Sequence, residues 1–383
     1  MASSAPKPND RPSAAEDAAH MGAALTLARR GLGRVWPNPA VGCVLVARDA
    51  GRSMVVGRGW TQPGGRPHAE AEALARAGDR ARGATVHVTL EPCSHYGKTP
   101  PCADALIAAG VRRVVAAIED PDPRVSGRGF ARLREAGLEV SLGVGAEEAR
   151  EINAGFLTRI VRGRPMVSLK LATSLDGKIA LASGESRWIT GSEARQRAHL
   201  LRATHDAILI GTGTAAADDP QLTCRLSGLE DRSPLRIVLD RSLRLVPSAR
   251  LFDNAAPTWV IHGPGADPGR LRTLRQKKND IELLEVALGS DGGLDLAALF
   301  ALLAQRGLTR VLVEGGGKLA AGLLRGGLVD QLYCFRAGGL IGGEGRPAVE
   351  ALGLETLAQM ARFQLRDSTP AGDDVMEIWT PVA

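Results

Sequence analysis

Two short stretches in the first half of the chain carry residue types that can bind a metal ion and move a proton. The stretch HAEAEAL places His68 and Glu70 two residues apart, and EPCSHYGKTPPC contains Cys93 and Cys102. A catalytic zinc site uses three protein ligands and leaves one position for water. His68, Cys93 and Cys102 supply such a ligand set, and Glu70 can exchange protons at the open position. The sequence therefore predicts a zinc-dependent hydrolytic site with Glu70 as proton shuttle.

The order His-x-Glu followed by Pro-Cys-x-x-Cys is the signature of zinc deaminases. Here eight residues, SHYGKTPP, separate the two cysteines, so this segment needs a function of its own. Its polar residues His95, Lys98 and Thr99 are candidate substrate contacts, and Lys98 suits a phosphate group. A purely structural zinc would need a fourth protein ligand, for which His95 is the nearby candidate, and would leave Glu70 unexplained. A zinc-stabilised binding module is therefore a weaker alternative.

The overall composition favours small anionic ligands over nucleic acids. The 383 residues carry a formal net charge of +6, which fits phosphorylated ligands. Aromatic residues make up only 3%, so stacking surfaces for bases would be few, and no run of Lys and Arg resembles a basic tail. We expect no nucleic-acid partner. A nucleic-acid- or nucleoside-acting zinc deaminase with an accessory domain stays open as the alternative enzyme.

The cysteine count and the apolar runs indicate the compartment. Five scattered cysteines, an odd number, argue against a disulfide framework and favour a reducing environment. No apolar run has the length of a signal peptide core or a membrane span. The sequence predicts a cytoplasmic protein without a membrane partner. Residues 1–15, rich in Pro, Ser and Ala, are expected to be a disordered leader.

Strand and helix patterns alternate in both halves, which predicts two α/β domains. The basic Gly/Pro stretch VRGRP at residues 161–165 divides them, so we expect domains at 16–163 and 164–383. In the first domain, the helix that begins at His68 should end at Gly78, and a single helix is expected over 147–160. In the second, GTGTAAADDPQLTCR reads as a Gly- and Asp-rich loop after a strand.

The second half contains a candidate cofactor turn in VLVEGGGKLAAGLL. A buried strand should end at Glu314, and a helix should begin near Lys318 after a glycine triplet. Glycines let a ligand approach the backbone, and a helix N-terminus binds phosphate. A tight turn without a ligand is the alternative. The G-x-G-x-x-G fingerprint of dinucleotide-binding Rossmann folds is absent.

The stretches PNPAVGCVLV, HAEAEAL, VTLEPCSHYGKTPPC and EDPDPRVSGRG resemble the bifunctional deaminase/reductase family of riboflavin biosynthesis. The resemblance covers residues 18–383. It implies a cytidine-deaminase-like α/β/α sandwich, followed by a dihydrofolate-reductase-like domain that uses NADPH. It also implies hydrolytic deamination of 2,5-diamino-6-ribosylamino-4(3H)-pyrimidinone 5′-phosphate with one zinc ion per chain. Reduction of the ribosyl to the ribityl side chain would follow, and Asn38 would contact the phosphorylated pyrimidine.

The same resemblance implies the site residues of the reductase half. The cofactor contacts would be Ala172, Trp188, Thr214, Asp218, Gly316, Gly317, Lys318, Leu319, Ala320, Ala321 and Gly322. The substrate contacts would be Ser186, Arg202, Leu222, Arg225 and Glu314. Arg202 and Arg225 would act as a phosphate clamp. Some relatives place Ser directly after the strand RIVLD, whereas Arg241 comes first here and could pair with the 2′-phosphate of NADPH. A homo-oligomer is compatible with this interpretation.

Overall fold

The computed structural model describes residues 13–49, 52–97, 100–277 and 280–382. The chain divides into two compact units, Met1–Arg162 and Gly163–Ala383. Most of the expected leader, residues 1–12, lies outside the described residues. The first helix begins at Ala14, two residues before the expected start. Ser13 and Glu16 explain this start, because each side chain accepts a hydrogen bond from the other residue's backbone N–H in a capping box.

The described part of the first unit contains five strands in one mixed sheet. They are β1 (Gly42–Asp49), β2 (Arg52–Trp60), β3 (Thr85–Val88), β4 (Arg113–Ala116) and β5 (Glu139–Leu142). The order is β2-β1-β3-β4-β5, with β1 antiparallel to both neighbours and β3, β4 and β5 parallel. The inner strands β3 and β4 are buried along their whole length, as expected for a sheet covered on both faces.

Helices connect most of these strands, and two of them contain Glu70 and Cys102. They are α1 (Ala14–Ala28), α2 (Ala69–Ala77), α3 (Cys102–Ala108), α4 (Arg128–Glu135), α5 (Ala146–Ile152) and α6 (Ala154–Arg162). The single helix expected over 147–160 is wrong, because Asn153 interrupts it between α5 and α6. The buried Asn153 side chain accepts from the N–H of Ala40 at 2.9 Å and donates to its carbonyl at 3.1 Å. Asn153 thus fixes the turn that leads into β1.

The second unit is built on a larger sheet. Its strands in the described residues are β6 (Met166–Thr173), β7 (Lys178–Ala180), β8 (Ala207–Gly211), β9 (Leu235–Leu239), β10 (Thr258–His262), β11 (Ile281–Glu285), β12 (Arg310–Val313), β13 (Gln331–Arg336), β14 (Arg346–Pro347), β15 (Phe363–Ala371) and β16 (Asp374–Pro381). The sheet order is β11-β10-β9-β8-β12-β6-β13-β16-β15, and β7 pairs separately with β14. In this sheet order, every neighbouring pair from β11 through to β13 is parallel. The strand β16 pairs antiparallel with both β13 and β15.

The helices of the second unit are α7 (Ser192–Ala203), α8 (Thr212–Asp218), α9 (Pro268–Arg275), α10 (Leu296–Gln305) and α11 (Gly317–Arg325). The loop expected after β8 is wrong for residues 212–218, where the chain turns directly into α8, and is confirmed for residues 219–225, which lie outside helices and strands. Three successive alanines favour that helix, and Asp219 ends it with a left-handed backbone at φ 39°. The mixed α/β class expected for both halves is confirmed. Across the described residues, no helix combines the length and apolarity that a membrane span requires.

Candidate active sites

The three expected metal ligands of the first unit meet at the ends of two helices. His68 is the N-cap residue of α2, Cys102 is the first residue of α3, and Cys93 lies in the segment after β3. Nδ1 of His68 lies 3.7 Å from Sγ of Cys93 and 3.4 Å from Sγ of Cys102. Zinc bond lengths to nitrogen and sulfur place tetrahedral ligand atoms roughly 3.5 Å apart. The donor set and its spacing therefore fit one zinc ion.

The pKa values of the two thiols move in opposite directions, because Cys102 is the donor and Cys93 the acceptor of the hydrogen bond between them. The thiol of Cys102 donates to Cys93, which, with help from His68, lowers the pKa of Cys93 to about 4. The pKa of Cys102, the donor, is raised. The backbone N–H of Cys102 also donates to Cys93 Sγ at 3.3 Å. This arrangement favours a thiolate, which is the form that binds metal.

Glu70 lies beside this centre in the first turn of α2 and is only 4% exposed. Burial raises the pKa of Glu70 to about 7, although the neighbouring His68 opposes the shift. A carboxyl group with such a pKa can both accept and donate a proton near neutral pH. The position and environment of Glu70 therefore match the requirements of a proton shuttle.

Sequence reasoning missed Glu91, which organises the loop opposite the metal ligands. Its buried carboxylate accepts backbone N–H groups from Gly129 at 2.8 Å, Gly127 at 3.0 Å, and Asp120 and Phe130 at 3.3 Å. Three of these donors lie at the start of α4, where an anion is also favoured by the helix dipole. Glu91 thus ties the segment that carries Cys93 to the EDPDPRVSGRG loop. The sequence signal that could have indicated this role is an acidic residue immediately before the Pro-Cys pair.

The expected substrate contacts of the first unit are only partly described. Asn38 packs tightly against Gly65, where an added Cβ would lie 1.8 Å from the Asn38 amide nitrogen. His95 is half-buried, and its Nδ1 is buried without a hydrogen-bond partner among the described residues. An unsatisfied buried nitrogen is suited to a ligand contact. Lys98 and Thr99 lie outside the described residues.

A cleft of about 1020 Å³ opens in the second unit. Many of the residues expected to hold cofactor or substrate line it: Ser186, Thr214, Asp218, Gly316, Gly317, Lys318, Leu319 and Gly322. Arg241 lines it as well and donates a hydrogen bond to the carbonyl of Gly292. Within the described chain, four expected cofactor contacts lie outside the cleft lining: Ala172, Trp188, Ala320 and Ala321. Ala320 and Ala321 are buried, whereas Trp188 is 67% exposed with Arg195 stacked over its ring at 4.6 Å.

The glycine triplet meets the cleft at the N-terminus of α11. Gly316 is the N-cap residue, with an extended backbone at φ −77° and ψ 174°. A Cβ at Gly316 would meet only Thr214 Oγ1, at 3.6 Å, whereas one at Gly317 would lie 2.7 Å from the Pro347 carbonyl. Gly317 therefore permits close backbone packing. Gly316 leaves open space at a helix end that can bind phosphate.

Glu314, at the end of β12, lies at the centre of a buried ion-pair group. Arg202 donates to both carboxylate oxygens, at 2.7 and 2.9 Å, and Lys170 Nζ lies 3.6 Å away. Burial alone would raise the pKa of Glu314, but Arg202 and Lys170 outweigh it and lower the pKa to about 2. A third bond joins Arg202 to the Thr223 carbonyl at 3.1 Å. The expected clamp of Arg202 and Arg225 stays a prediction, and Glu314 is an additional partner of the Arg202 guanidinium.

Comparison with known proteins identifies the family. Residues 165–376 match the family model described as the RibD C-terminal domain, and residues 14–118 match the cytidine and deoxycytidylate deaminase zinc-binding region. The chain is 44% identical over 373 residues to riboflavin biosynthesis protein RibD of Escherichia coli K12, covering 94% of this chain and 98% of that protein. The chain belongs to the RibD family.

Solved structures agree with this assignment. RibD of Acinetobacter baumannii has a TM-score of 0.86 and 39% identity, with 97% of this chain and 100% of that chain covered. A Thermotoga maritima protein, titled diaminohydroxyphosphoribosylaminopyrimidine deaminase/5-amino-6-(5-phosphoribosylamino)uracil reductase, has a TM-score of 0.82 and 35% identity, with 96% and 99% covered. The chain is therefore a bifunctional deaminase and reductase of riboflavin biosynthesis. The expected family and fold class are confirmed. Membership of this family disfavours both a nucleic-acid- or nucleoside-acting deaminase and a zinc-stabilised binding module.

Proposed function

We propose that the first unit binds one zinc ion and deaminates 2,5-diamino-6-ribosylamino-4(3H)-pyrimidinone 5′-phosphate. We propose that the second unit then reduces the ribosyl side chain of the product to ribityl with NADPH. The observation that carries this proposal is the cluster of His68, Cys93 and Cys102, whose ligand atoms lie within 4.8 Å of one another beside the buried Glu70. The similarity to the Thermotoga maritima deaminase/reductase described above supports the choice of substrate.

In the deamination, His68, Cys93 and Cys102 would hold the zinc ion, which would supply a water molecule of lowered pKa. Glu70 would take a proton from that water as its oxygen adds to the amino-bearing carbon, and would pass it on so that the amino group leaves as ammonia. Its burial excludes bulk water, and its pKa of about 7 suits both proton transfers. We infer that His95 and Asn38 contact the pyrimidine phosphate, and the unsatisfied Nδ1 of His95 supports this role.

In the reduction, NADPH supplies hydride when it is bound in the cleft of the second unit. The open N-terminus of α11 at Gly316 would hold one of its phosphates, and Thr214 lies across from that glycine. Arg241 and Arg244 line the same cleft and would provide positive charge for a further phosphate. Arg225 would bind the substrate phosphate together with Arg202, which has N–H groups beyond the three that donate to Glu314 and Thr223.

A cytoplasmic location is part of the proposal. Five scattered cysteines, an odd number, are typical of a protein in a reducing environment. The substrate is a small molecule, and the chain needs no nucleic-acid or membrane partner for either reaction. A homo-oligomer stays a prediction, to be tested by sedimentation of the purified protein.

Product analysis tests the proposal directly. The purified zinc-containing protein is incubated with the diaminopyrimidine phosphate, first without and then with NADPH. We expect stoichiometric ammonia release without NADPH, followed by NADPH oxidation and a ribityl product when the cofactor is added. Absence of ammonia release in a zinc-loaded, folded protein would refute the assigned substrate.

A further inference from the structure

The segment from Asp219 to Arg225 holds two residues in the left-handed backbone region, where L side chains are rare. Asp219 has φ 39° and Leu222 has φ 56°, and Leu222 is buried. Such conformations persist only where neighbouring groups fix them, and they are frequent at functional sites. Because this segment carries Leu222 and Arg225, the contacts that fix its backbone bear on substrate binding.

One face of α7 fixes this segment at successive backbone groups. Arg202 donates to the carbonyl of Thr223 at 3.1 Å. His199, three residues earlier and therefore on the same helix face, accepts the backbone N–H of Arg225 through Nδ1 at 3.3 Å. The backbone carbonyl of His199 also accepts from the Cys224 thiol at 3.5 Å. The helix that carries Arg202 thus determines the path of the chain up to Arg225.

The contact between His199 and Arg225 requires a neutral imidazole, because a protonated ring has no acceptor nitrogen. Burial first, and then the guanidinium groups of Arg202 and Arg225, lower the pKa of His199 to about 4, while Glu314 opposes the shift. Near neutral pH the ring is therefore uncharged, with its proton on Nε2 and Nδ1 free to accept. A protonated His199 would place its positive charge beside those of Arg202 and Arg225.

We propose that His199 is a positioning residue of the reductase site, which holds the main chain of Arg225 so that its side chain meets the substrate phosphate. This inference rests on the proposed function, since the phosphate at Arg225 is part of it. Arg225 is exposed, whereas the Arg202 guanidinium binds Glu314 and Thr223. A change in the backbone path at Arg225 therefore weakens substrate binding. It leaves the cofactor cleft unchanged, because Arg225 does not line that cleft.

Two substitutions in the full-length protein test this role. His199→Leu removes the acceptor, and His199→Asn retains an acceptor oxygen at a similar distance from the main chain. With the deaminated pyrimidine phosphate as substrate, we expect His199→Leu to raise KM about fivefold to tenfold, the effect of one lost hydrogen bond. We expect kcat to stay within about twofold, as one hydrogen bond to a positioning group predicts. His199→Asn should restore KM, and the Kd for NADPH should stay unchanged in both variants.

The outcomes separate this inference from the proposed function. An unchanged KM in His199→Leu overturns the positioning role, as does a fall in kcat alone. Equal losses in both variants, together with a lower melting temperature and weaker NADPH binding, indicate a packing role and also overturn it. Failure of the wild-type protein to oxidise NADPH with this substrate refutes the proposed function instead.

Discussion

Gly316→Val tests whether the glycine turn holds the cofactor phosphate. The backbone of Gly316 is extended, so a side chain there causes no strain, and its Cβ would meet only Thr214 Oγ1 at 3.6 Å. The added carbons must therefore project into the open space at the start of α11. Replacing the N-cap glycine costs less than about 1 kcal/mol of stability. Loss of a charge-assisted hydrogen bond to phosphate costs about 1.5–3 kcal/mol, which raises Kd about tenfold to a hundredfold.

The assay is a fluorescence titration of each purified variant with NADPH, alongside thermal unfolding. Gly338→Val is the matched control, because Gly338 has nothing within 4 Å of its Cβ position and is absent from the lining of the cleft. We expect Gly316→Val to lose NADPH affinity and reductase activity, while ammonia release continues. A folded Gly316→Val protein with wild-type affinity for NADPH would show that the turn binds no phosphate.

Three further predictions concern other buried groups. Glu70→Gln should retain zinc by metal analysis but lose deamination at least about 100-fold, whereas Glu72→Gln on the same helix should remain active; equal activities would contradict the shuttle role. The pKa of Glu314 is lowered from 4.5 to about 2, so its ionised form stabilises the fold above pH 4.5, and this contribution is lost as the pH falls towards 2. Glu314→Gln should cost about 3 kcal/mol by denaturant titration at neutral pH, with a smaller difference near pH 3; a constant difference would contradict this account. Asn153→Ala should cost about 1–3 kcal/mol, because it leaves the N–H and carbonyl of buried Ala40 unpaired; an unchanged unfolding midpoint would contradict this.

The zinc centre could be predicted from the sequence because its chemistry is local. His68 lies at the start of one helix and Cys102 at the start of another, and an imidazole followed by two thiolates in these contexts is typical of a metal site. Glu91 escaped attention because its four partners lie 29 to 39 residues further along the chain. A side chain that binds distant backbone groups leaves no periodic pattern in the sequence.

The reductase half was predicted less completely, for the same physical reason. Glu314 and Arg202 were both expected to bind substrate, but the ion pair that joins them across 112 residues was not predicted. In the first unit, the break at Asn153 was likewise missed, because its two hydrogen bonds go to Ala40, 113 residues away. The strand β15 was also missed, since most of its residues are exposed and no alternation of buried positions marks it. Tertiary contacts, rather than local propensity, decided each of these features.

The most direct test asks whether the two reactions occupy separate sites. Glu70→Gln protein is supplied with the deaminated intermediate, 5-amino-6-(5-phosphoribosylamino)uracil, and NADPH, and cofactor oxidation is followed by absorbance. We predict oxidation at the wild-type rate, because Glu70 and the metal ligands belong to the first unit and the NADPH cleft to the second. Loss of this activity together with deamination, in a folded protein, would contradict the assignment of one reaction to each unit.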